Sequence, residues 1–175
     1  MNTSTQIQDS VFNAKGRFGR LAYAAWSFLS AIVLCVVIFI LAFIGSLFTG
    51  SESNLETGNF PFVIIALFFI SYVILIYFSF VFSIRRFHDR NQTGWLSLLM
   101  LIPLVNFIVM LYLFCAKGTE GPNKFGPVRA TAPWEKVLGW IYIILIPLIL
   151  IFALIGTAVP AYQEYLQRSQ YIQSE

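Results

Sequence analysis

Apolar positions in this chain do not alternate with polar ones at the helical or the strand period; they run on without relief. Four stretches, 21–48, 60–84, 94–116 and 137–159, contain no Asp, Glu, Lys, Arg or His. Unbroken runs of this length predict helices that are apolar on every face, for which the natural solvent is lipid. A hydrocarbon core of about 30 Å takes about 20 helical residues, so each run is long enough to cross it. The first run is about 42 Å long as a helix and must tilt or end among headgroups.

The polar connections orient these runs. Lys15, Arg17 and Arg20 precede the first, whereas the connection after it carries Glu52 and Glu56 and no cation. Arg85, Arg86 and Arg90 follow the second. The positive-inside rule then puts the N-terminus in the cytoplasm and the Glu52 loop outside. The third run divides two topologies. If it spans, seven Lys and Arg fall inside and four outside; if it enters and returns, ten fall inside and only Arg168 outside. The second partition fits the rule better. Pro103 and Asn106 also sit mid-run and leave arms of about 10 residues, each roughly half the hydrocarbon depth.

Composition agrees with this reading. Of 175 residues, 58% are hydrophobic and 11% charged, too few polar groups to cover a water-soluble globule. The expected fold is an all-α integral membrane protein, a small bundle of three to four apolar helices whose third run spans or forms a re-entrant hairpin. Segment 1–11 reads as a flexible N-terminus, 12–129 as the membrane domain, 130–136 as a linker, and 137–175 as a C-terminal transmembrane helix and tail. The first run is too long for the apolar part of a cleaved signal and is expected to stay as an anchor. Cys35 and Cys115 lie in apolar runs at no ligand spacing and read as small buried hydrophobes.

Candidate chemistry gathers in Arg85-Arg86-Phe87-His88-Asp89-Arg90. On a continuing helix Arg85 and Asp89 are i,i+4 neighbours, as are Arg86 and Arg90. Two guanidiniums at headgroup depth suit a lipid phosphate or an acidic partner; the plainer reading is a topology anchor with a helix-end salt bridge. Arg17 and Arg20, interleaved with Phe12 and Phe18, belong to the same lipid- or partner-binding set as Arg85, Arg86, His88, Asp89 and Arg90. His88 is the sole histidine and has no co-ligands, so neither a metal nor a catalytic role is expected for it. Residues 118–127 are turn-rich but lack a Gly-Lys-Ser/Thr ending, so they read as a compact turn under the hairpin rather than a phosphate loop.

These landmarks together resemble a family, the small bacterial inner-membrane proteins of the YhaH type, known as domain of unknown function 805. The likeness runs over about 12–127: Gly16-Arg17 with Arg20, Arg85 to Asp89, Gly94-Trp95, Ile102-Pro103-Leu104, and Gly118-Thr119 with Gly121, Asn123, Phe125 and Gly126. Asn91-Gln92-Thr93 departs from the Gly, Arg and Ser common there, and Trp95 stands alone where two aromatics are frequent. The resemblance implies multi-pass insertion in a bacterial inner membrane and supplies no activity.

The last third carries another likeness. Residues 154–165, which close on Pro160-Ala161-Tyr162-Gln163-Glu164-Tyr165, resemble the N-terminal helix of type IV pilins, with Pro160, Tyr162 and Tyr165 as contact candidates. No Gly-Phe-Thr-Leu-Ile-Glu cleavage motif precedes the stem, so processing as a pilin is not expected. The combined expectation is a non-enzymatic inner-membrane protein without cofactor. It would act through lipid or protein contacts, as an accessory to type IV pilus or secretion machinery, and a homo-oligomer is compatible with it. Nucleic acid is not an expected partner. The alternatives are a small oligomeric transporter or channel, and an envelope-lipid enzyme built on the Arg85–Asp89 cluster.

Overall fold

A computed structural model of the chain describes residues 12–49 and 60–173. The N-terminal segment 1–11, the loop bearing Glu52 and Glu56, and Ser174 lie outside the described residues. Among the described residues, four α-helices and one 3-10 helix follow in order: α1 Arg20–Thr49, α2 Phe60–Asp89, the 3-10 helix Gly94–Leu101, α3 Pro103–Cys115 and α4 Pro133–Gln173. Three of them, α1, α2 and α4, are long and apolar enough to cross a bilayer.

Each boundary has a local cause. Past Asp89 the chain closes α2 with paired bonds, Asn91 N–H to His88 O and Gln92 N–H to Phe87 O, both 3.0 Å. This is the Schellman arrangement, and it puts Asn91 at φ 57. Asn is, after Gly, among the residues that best tolerate that conformation, so the Asn91 departure noted above preserves the turn. The third run breaks where the sequence places the break. Ile102 is extended (φ −93, ψ 113), as the residue before a proline is driven to be, and Pro103 opens α3 at its first position. Asn106 falls in the first turn of α3, just past the bend, its N–H bonded to Ile102 O.

The third run returns to its origin. A Cβ on Gly94 would sit 2.8 Å from Ile84 and 3.2 Å from His88, while at the other end Arg86 Nε donates to Leu113 O at 2.8 Å and Arg90 donates to Lys117 O. Both feet of the hairpin therefore stand on the last two turns of α2. Its arms, about 16 Å of 3-10 helix and about 20 Å of α-helix, reach roughly half the hydrocarbon depth.

The buried core lies at this same end: Phe18, Ala22, Tyr23, Val81, Phe82, Phe87, Val109 and Leu113. Farther along, α1 and α2 expose large apolar side chains, as lipid-facing helices do. Both cysteines are exposed as well, which corrects the expectation of buried hydrophobes. The reason is geometric: a bundle this thin leaves most of each apolar run on its outside. Helix α4 begins at Pro133, inside the stretch read as a linker, and among the described helices its backbone approaches α1 alone. Gly139 makes that approach possible, because a Cβ there would lie 2.5 Å from Leu21 O.

Ten of the eleven Lys and Arg residues thus belong to one end of the bundle, with Arg168 alone far along α4. The positive-inside rule makes that end cytoplasmic. Glu120, exposed in the loop after the hairpin, reads the topology directly. With Cys35 and Cys115 replaced, a cysteine at Glu120 is expected to react with an impermeant maleimide in inside-out vesicles only; labelling in intact spheroplasts would mean that the hairpin crosses.

Candidate functional site

The polar residues of the family-like landmarks converge beneath the hairpin, from segments more than 100 positions apart. Asp89 is the centre, and it is 5% exposed. It accepts from Arg17 Nε at 3.1 Å and from Arg86 Nη1 at 2.5 Å, and Arg17 Nη2 is ion-paired with it at 3.0 Å. Neither guanidinium stops there. Arg17 also donates to Gly121 O at 2.7 Å, Thr119 O at 2.6 Å and Gly126 O at 3.3 Å. Arg86 also donates to Leu113 O, Phe18 O and Ala116 O. One carboxylate and two cations thereby hold the N-terminal approach, the end of α2, the foot of the hairpin and the loop 117–127 together.

The remaining landmarks have places in this clasp. Thr119 donates both N–H and Oγ1 to Asp89 O, at 2.8 and 2.9 Å. Asn123 Nδ2 donates to His88 O at 2.8 Å, and Phe125 stacks on the His88 ring with centroids 3.7 Å apart. Gly118 is required by contact, since a Cβ there would fall 2.0 Å from Asp89 Oδ2. Gly118→Ala is accordingly expected to cost about 1–3 kcal/mol by overpacking, read as a lowered melting temperature in detergent; an unchanged value would mean that the loop is not seated on Asp89.

The sequence-derived candidates divide by geometry. Arg17, Arg85, Arg86 and Asp89 are buried and His88 and Arg90 half-buried, while Arg20 is exposed, with Nη1 3.5 Å from Cys115 O. Asp89 pairs with Arg86 and Arg17 rather than with Arg85, whose guanidinium lies 3.9 Å above the Phe18 ring. Arg86 and Arg90 do not form an outward fork; Arg90 turns to Tyr112 Oη at 3.1 Å and to Lys117 O. Replacing Arg85 and Arg86 together would remove the hairpin's foot as well as two charges. His88 Nδ1 lies 3.3 Å from Gly16 O. In the exposed loop, the Lys117 hydrogen bond holds the Glu120 carboxyl below its ordinary value. Pro160, Tyr162 and Tyr165 lie on the bare part of α4, apart from the clasp.

Sequence reasoning missed Glu135. It is fully buried and accepts two bonds from Arg129 at 2.8 Å each, one from Trp26 Nε1 at 2.8 Å and one from Ala132 N–H at 2.9 Å. It thereby caps α4 and ties its start to α1. The available signal was an acid two residues after a proline, the composition of a helix first turn.

Fold and site define a polytopic α-helical membrane protein with a hairpin clasped at its cationic end. The chain belongs to the family described as Protein of unknown function (DUF805), whose model matches residues 11–127. It is similar to Inner membrane protein YhaH of Escherichia coli (strain K12), 42% identical over 43 residues, and to Inner membrane protein YhaI of the same strain, 41% identical over 44 residues. Each match covers 25% of this chain and 36% and 37% of the respective relative, well under two thirds of its length. No solved structure matches. The protein is a multi-pass inner-membrane protein.

Proposed function

We propose that this chain is a non-enzymatic membrane protein that works through lipid and protein contacts, presenting the outer part of α4 to components of a type IV pilus or secretion machine. The observation that carries the reading is α4 itself. It is a single helix of 41 residues, about 61 Å long, twice the hydrocarbon thickness. It is held to α1 near its start, and its side chains from Pro147 to Arg168 are exposed throughout, with Tyr162 at 63% and Tyr165 at 68%. The tyrosines lie three apart on one face, beside the Glu164–Arg168 pair. The clasp supports the non-enzymatic part, since its acid and two of its bases are engaged by the chain's own carbonyls and by one another.

Site-specific photocrosslinking tests it. A benzophenone amino acid at Tyr162, in cells that make type IV pili, is expected to give a discrete protein adduct. Deleting residues 161–175 is expected to alter piliation while the 12–127 module stays inserted. Lipid adducts alone, with normal piliation after the deletion, would overturn the assignment.

A further inference from the structure

Between α1 and α2 lies a cavity of about 470 Å³, outside the clasp. It runs from Trp26 to Val37 on α1 and from Phe82 to Ser71 on α2, about 16 Å along each helix. Its polar content is cancelled, because Ser30 Oγ donates to Trp26 O at 2.9 Å and Ser71 Oγ to Leu67 O at 2.8 Å. Val33 and Ile74 on its walls are 44% and 50% exposed, so it opens sideways into the bilayer.

Depth and size select the occupant. Trp26 lies about 9 Å along α1 from Arg20, which places the cavity's upper end just under the headgroup zone and Val37 near the bilayer midplane. The cavity thus spans the hydrocarbon of the cytoplasmic leaflet only. A helix of that length, about 10 Å across, would need roughly 1,250 Å³. One extended hydrocarbon chain, about 4–5 Å across, needs roughly 200–310 Å³ over the same length. The upper end is also marked. Phe12 folds over it, its ring 5.6 Å from Phe78 and its carbonyl accepting from Tyr77 Oη at 3.0 Å. Exposed Lys15 follows three residues on, within about 10 Å along the chain.

We infer that this groove holds one acyl chain of an anionic phospholipid from the cytoplasmic leaflet, its headgroup beside Lys15. The inference rests on the lipid-contact half of the function proposed above and names the lipid class and its seat. Its failure leaves the Tyr162 adduct, and hence the protein-contact half, standing.

The test uses the full chain in phosphatidylethanolamine vesicles containing phosphatidylglycerol that carries a diazirine in mid-chain. Photoadducts are expected to concentrate on Val33, Ser71 and Ile74 relative to Phe152, on the bare part of α4, which reports ordinary bilayer contact. Ser30→Phe with Ser71→Phe fills the groove and is expected to lower the adducts at Val33 and Ile74 about fivefold while leaving Phe152 unchanged. Should that variant insert poorly, Val37→Trp blocks the deep end and is expected to lower adducts at Ser71 alone. Lys15→Gln is expected to abolish the preference for the phosphatidylglycerol probe over the same probe on phosphatidylcholine. Adducts no denser at Val33 than at Phe152, a headgroup preference untouched by Lys15→Gln, or a protein adduct from a benzophenone at Val33 in native membranes would each overturn the inference.

Discussion

Asp89→Asn is expected to destabilise the cytoplasmic end of the protein by about 3 kcal/mol, the low end of what breaking a buried ion pair costs. Asn fills the same volume, so the loss is electrostatic. Arg17 and Arg86, 1% and 0% exposed, would remain buried without their shared counter-charge. The carbonyls of Thr119, Gly121, Leu113 and Phe18 still solvate them, which is why the loss sits at that low end. Thermal unfolding in detergent, with proteolysis in the loop 117–127 as a local probe, measures it. Arg17→Gln in the Asp89→Asn background should restore part of the loss, because one uncompensated cation is removed with the acid. A melting temperature equal to that of the parent protein for Asp89→Asn would sink the idea that this carboxylate holds the clasp.

Glu135→Ala is expected to cost about 2–3 kcal/mol and to act elsewhere. It leaves the Arg129 guanidinium, the Trp26 indole N–H and the Ala132 N–H without the acceptor they share. Arg129 is 23% exposed and recovers water, so the loss is smaller than at Asp89. Hydrogen exchange should therefore rise over residues 129–140, where α4 begins, and remain low over 85–92. Equal protection in both segments would show that α4 is anchored by Gly139 and its apolar contacts alone. Glu135→Gln keeps one acceptor oxygen, for Trp26 Nε1 or for Ala132 N–H but not for both, since the two bond different carboxylate oxygens, and is expected to lose less than Glu135→Ala.

The apolar runs, the break at Pro103 and the gathering of ten cations on one side were legible in the sequence. Hydropathy, a proline's effect on its neighbours and the positive-inside rule are properties of short stretches that add along the chain. The family-like residues were legible as a set, yet not as a structure. Arg17 and Asp89 stand 72 positions apart, and Arg17 and Gly126 109 apart. Nothing in the local pattern shows whether a guanidinium beside a membrane turns to lipid phosphate or to the chain's own carbonyls. That choice depends on where the foot of the hairpin and the loop after it come to rest, which only the tertiary fold decides. The same holds for Glu135, which reads as an ordinary first-turn acid until Trp26 and Arg129 close over it, and for the two cysteines, whose exposure follows from how few helices the bundle has. Sequence by itself thus determined the solvent, the spans and their polarity, because transfer to lipid is paid residue by residue; burial of charge was left to the fold, because it needs acceptors from several segments at once.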